Sequence, residues 1–60
     1  MKIKKGLKYV CIKKIIVSGI AIYKKGVIYN SNNSEFLLDE YGCSRFVSSN
    51  HQKGYFVELK

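Results

Sequence analysis

Sixty residues with a formal charge of +7, 47% of them hydrophobic and none of them Pro or Trp, make a strongly basic chain with enough apolar groups to fold. That length is expected to make a single domain, and that apolar content excludes a disordered polyelectrolyte. A domain this small buries only about 60% of its unfolded surface, so its margin over chain entropy is thin and a homodimer is one way to cover the remaining apolar surface.

Helix signals are weak. Beta-branched and aromatic residues dominate, Ala occurs once, and no long stretch carries an apolar stripe of helical period. Strand signals recur instead between turn markers. In chain order the first expected strand runs from Leu7 to Val17, with Val10 and Ile12 on one face and Tyr9 and Cys11 on the other. Ser18-Gly19 supplies a tight turn, because Gly accepts the positive φ that such turns demand. Ile20 to Tyr23 is expected to return beside the first strand, Lys24-Lys25-Gly26 to break it, and Val27-Ile28-Tyr29 to form the next. Asn30 to Ser34 reads as a polar loop. Phe36-Leu37-Leu38 and Arg45-Phe46-Val47 then flank a hairpin with Gly42 at its left-handed position. Ser48 to Gly54 reads as a second polar loop, and Tyr55 to Leu59 as the closing strand. Phe36, Phe46 and Phe56 are the expected aromatic core. Five or six short strands in one domain spanning residues 1–60 hide their faces by curling up, so the expected architecture is all-β, a small five- to six-stranded SH3-like barrel.

Charge is unevenly distributed. Residues 1–30 carry Lys2, Lys4, Lys5, Lys8, Lys13, Lys14, Lys24 and Lys25 with no acid, whereas residues 31–60 sum to −1. Such asymmetry points to an anionic partner, although lysines also serve solubility, and ten of the eleven basic residues are Lys rather than the Arg preferred for bidentate phosphate recognition. The apolar run Ile15 to Tyr23 superficially resembles a signal peptide, but it is flanked by lysine pairs and lacks a small-x-small cleavage site. Its nine residues are less than half a transmembrane helix, so no membrane partner is expected. Cys11 and Cys43, with one histidine, match no zinc spacing. Without a secretory signal they are expected to be reduced thiols in a cytoplasmic protein.

Lys5-Gly6-x-x-Tyr9-x-Cys11-Ile12-Lys13, Tyr23-Lys24-Lys25-Gly26-x-Ile28-Tyr29, Asp39-Glu40-x-Gly42 and Tyr55-Phe56-x-x-Leu59 together resemble small SH3-like proteins encoded by bacteriophages and prophages of low-GC bacteria. The similarity runs over most of the chain through short motifs. It implies a setting in the cytoplasm of an infected cell and a role in binding or blocking host machinery, and it carries over no active-site residue.

No catalytic constellation is legible. His51 sits in a polar stretch without a converging nucleophile or orienting group, adjacent Asp39 and Glu40 point to opposite sides of a strand, and the five glycines are too dispersed to cradle phosphate. The expectation is a binding protein with no metal and no cofactor. Aromatic faces among lysines suit stacking on a base while ammonium groups hold the phosphate, which singles out Tyr23, Lys24 and Lys25, with Lys13, Lys14 and Tyr41, for an anionic ligand such as nucleic acid or a nucleotide signal. Two other classes stay open: a protein–protein inhibitor docking on a host or defence enzyme, and a structural virion or assembly component.

Overall fold

A computed structural model describes residues 1–59. Strands dominate it: β1 (Lys8–Cys11), β2 (Ile15–Val17), β3 (Ile20–Tyr23), β4 (Ile28–Asn30), β5 (Phe36–Leu38), β6 (Ser44–Phe46) and β7 (Phe56–Leu59), with one short helix, α1 (Ser49–Gly54), before the last strand. The strands form three small antiparallel sheets, β4-β1-β7, β2-β3 and β5-β6, and among the described residues no continuous ladder closes them into a barrel. The body measures 29 × 20 × 18 Å.

β1 is the central strand, with Tyr9 opposite Tyr29 on one side and Glu58 on the other. Its single-strand expectation, Leu7 to Val17, is corrected. The chain leaves the ladder at Ile12, Lys13 and Lys14, and Ile15 starts a separate hairpin, so Ile20 to Tyr23 pairs with β2 and not with β1. The physical reason is that β1 already has both edges filled, by β4 and β7. Ser18 and Gly19 both take positive φ, 52° and 77°, the two-residue geometry whose twist matches that of the paired strands.

Ser48 to Gly54 is also corrected, from loop to helix. Ser48 caps it by accepting the His51 N–H on its hydroxyl at 3.3 Å. A six-residue helix without apolar residues has little intrinsic stability, and a buried side chain secures it. Gln52 accepts the Ile3 N–H on Oε1 at 2.8 Å and donates through Nε2 to the Val47 carbonyl at 2.7 Å. One amide thus ties the N-terminal segment, the end of β6 and the helix together.

The core consists of Ile3, Tyr9, Cys11, Ile15, Ile22, Tyr23, Tyr29, Leu37, Val47 and Phe56. The tyrosines, not the phenylalanines, are its aromatic centre. Tyr23 stands edge-to-face against Tyr29 at 4.9 Å and against Phe56 at 5.3 Å, an arrangement that favours ring quadrupoles over plain stacking. Of the three expected core phenylalanines only Phe56 is buried. Phe36 is half-buried and Phe46 is 62% exposed, the two packing on each other at 5.8 Å on the outer side of their hairpin.

Candidate functional site

The β2-β3 register brings the two lysine pairs together. Ile15 lies opposite Tyr23, so Lys14, just before β2, and Lys24, just after β3, are neighbours at the base of the hairpin. The β3-β4 turn is pinned to the end of β1 by the Gly26 N–H donating to the Cys11 carbonyl at 2.7 Å and the Cys11 N–H donating to the Val27 carbonyl at 3.0 Å. Lys25 therefore lies on the β4 side of the end of β1, and Lys13 follows that end along the chain. All four lysines are exposed, and among the described residues none of them forms an ion pair. Lys13 Nζ instead sits 5.7 Å above the ring of Tyr55, which meets the His51 ring edge-on at 4.7 Å.

The carboxylates nearby are engaged elsewhere. Tyr29 accepts the Lys24 N–H on its hydroxyl at 2.6 Å and donates that hydroxyl to Glu40 at 2.5 Å. Burial, and then this bond to Glu40, push the Tyr29 phenol up to about 12, so it stays a neutral donor. Asp39, with a fully buried carboxyl, accepts the N–H groups of Tyr41 and Cys43 at 2.8 and 2.9 Å and the Arg45 Nε–H at 2.6 Å. Its burial pushes the carboxyl up, but the Arg45 guanidinium and the two N–H groups more than offset that and hold it below the usual carboxylate range.

Tyr23 departs from its expected role as a stacking face. Its ring is almost wholly buried, and its hydroxyl donates to the Leu37 carbonyl at 2.8 Å, so no base can reach it. Burial raises its phenol well above the ordinary value. Tyr41 is 66% exposed at the tip of the β5-β6 hairpin, where the Glu40 N–H donates to the Ile22 carbonyl at 2.8 Å and holds that tip beside β3. Tyr55, the aromatic partner of Lys13, lay outside the expected site because it is the β1-β7 pairing of distant segments, with the Ile12 N–H donating to the Tyr55 carbonyl at 2.8 Å, that brings it alongside. Among the described residues, one cleft of about 310 Å³ is lined by Ile15, Val17, Ile22, Phe46 and Val47 together with Arg45 and His51, and another of similar volume lies between β4 and the β5-β6 turn. Among the described residues, no lysine lines either of them.

Cys11 is buried and Cys43 exposed, both as free thiols, and burial raises the Cys11 thiol. Among the described residues no three His, Cys, Asp or Glu side chains converge as metal ligands would. No protein-family model, curated protein or solved structure matches the chain.

Proposed function

We propose that the protein is a non-enzymatic binding module that holds a chain of phosphates, as in a nucleic-acid backbone, on Lys13, Lys14, Lys24 and Lys25. The observation that carries this reading is the hairpin base, where the β2-β3 register sets Lys14 beside Lys24, with Lys13 and Lys25 next to them in the chain, all four exposed and, among the described residues, none in an ion pair. A nucleotide is the weaker candidate within the same class. A small ligand needs a concavity that buries most of its surface, and neither cleft is lined by these lysines; the one charged arginine in the first, Arg45, is held by Asp39. With Tyr23 buried, base stacking falls to Tyr41 and Tyr55, so backbone contacts dominate and sequence preference is weak. The short-motif resemblance and the chain order, a central β1 flanked by β4 and β7 with a short helix before the last strand, support reading the three sheets as an opened SH3-like barrel of phage type acting in a host cytoplasm.

Duplex DNA of 20 base pairs, titrated by fluorescence anisotropy, tests the proposal. Four phosphate contacts give a slope of log affinity against log salt of about −3.6, or roughly 150-fold weaker binding between 50 and 200 mM salt. Lys24→Glu with Lys25→Glu removes binding. Unchanged affinity in that double variant rejects the reading. The cleft beside Phe46, where apolar side chains meet Arg45 and His51, favours a second reading, docking on a host enzyme. A single host protein captured regardless of nuclease treatment supports it, and loss of that protein with nuclease removes it.

A further inference from the structure

From Ile15 to Tyr23 the chain carries no charge, and the β2-β3 hairpin it forms is buried only at its base. Ile15, Ile22 and Tyr23 belong to the core, while Ile16, Val17 and Ile20 at the far end are 52%, 43% and 50% exposed. Val17 and Ile20 oppose each other and share one face, whereas Ile16, opposite Ala21, projects from the other. The tip therefore exposes apolar side chains on both sides, Val17 doing so at the rim of the cleft it shares with Phe46 and His51. A docked protein normally covers one face of such a ribbon, but a fluid apolar medium surrounds it. Exposed lysines stand at the base of both strands, Lys13 and Lys14 before β2 and Lys24 and Lys25 after β3, and form its basic collar. Strands rise about 3.3 Å per residue, so the Val17–Ile20 rung lies roughly 10 Å beyond the Lys14–Lys24 level. That spacing matches the depth of about 5–10 Å to which interfacial segments sink when their cations stay at the headgroups.

We propose that the β2-β3 hairpin inserts its apolar tip into the surface of an anionic phospholipid membrane, with the lysine collar resting on the lipid phosphates. The nine-residue run is too short to cross a bilayer, and among the described residues no helix is long and apolar enough to do so. Entry into the surface needs no crossing. Tip-to-tip pairing with a second copy is the poorer fit, because it covers the apolar side chains but gives the lysines no anionic partner. The inference rests on the same lysines as the proposed function and adds the apolar tip as the part that selects lipid.

Co-sedimentation with vesicles of phosphatidylcholine containing 30% phosphatidylserine, run beside the duplex titration, tests it. The variant Ile16→Ser/Val17→Ser/Ile20→Ser changes only exposed side chains. It is expected to bind the vesicles at least about tenfold more weakly while holding duplex within about twofold. The chain has no Trp, so Ile20→Trp reports directly, with emission shifting to the blue on anionic vesicles and staying put on pure phosphatidylcholine. Equal vesicle binding by the tip variant, no vesicle binding by the natural chain, or an unshifted Trp overturns the inference, as does tip-dependent self-association without lipid. Duplex binding without vesicle binding removes the membrane proposal and leaves the nucleic-acid reading standing. Vesicle binding without duplex binding does the reverse.

Discussion

Replacing Asp39 is the most informative test of what holds this small domain together. Its carboxyl ends β5 and organises the following turn, accepting two backbone N–H groups and the Arg45 Nε–H. Asp39→Ala deletes all three acceptor contacts at once. Hydrogen bonds to a charged group contribute about 1.5 kcal/mol or more each, and water at this exposed turn recovers part of that for the freed N–H groups. The two backbone bonds alone then set a loss of about 2–3 kcal/mol. At about 0.05–0.15 kcal/mol per residue, a chain of this size has roughly 3–9 kcal/mol in all, so the variant sits near the edge of folding. Urea denaturation followed by circular dichroism reads the loss. With a slope near 1 kcal/mol per molar, the midpoint falls by about 2–3 M. Asp39→Asn keeps one oxygen acceptor without the charge and is expected to fall by about half as much. The pH dependence follows from the carboxyl being held below its ordinary range. The folded state then binds its proton less readily than the unfolded chain, whose carboxyl titrates near 3.9, so the stabilisation is complete above about pH 4 and drains away as pH falls through the folded-state value. Asp39→Asn should show a flatter acid limb than the natural protein. An alanine variant whose midpoint stays within about 0.5 M, or identical acid limbs, refutes the reasoning.

Two further outcomes follow from buried groups. Gln52→Leu leaves the Ile3 N–H and the Val47 carbonyl without their partner inside the protein, and a loss of about 2–4 kcal/mol is expected by the same urea measurement, with loss of the helix signal. A thiol reagent such as dithionitrobenzoate should label Cys43 at once and Cys11 only on the timescale of opening, so one equivalent in native buffer becomes two in urea, and immediate labelling of both contradicts the burial of Cys11.

Local chemistry alone determined much of this chain. The strand bias of its beta-branched and aromatic residues, the tight turn at Ser18-Gly19 and the hairpin around Gly42 all depend on side-chain shape and on which φ a residue accepts, and these act within a few positions. The uneven lysine distribution is equally a property of the string. Tertiary structure decided which aromatics went inside. Tyr23 and Phe46 look alike as strand residues, but Tyr23 found a carbonyl for its hydroxyl at Leu37 and became core, while Phe46 was left on the outer side of β6. It also turned a polar stretch into α1, because Gln52 could reach Ile3 across 49 residues of sequence. The break between β1 and β2 was invisible for the same reason: whether a strand continues depends on which edges are already paired. Burial and pairing are settled between distant segments, and periodicity records only what neighbours along the chain prefer.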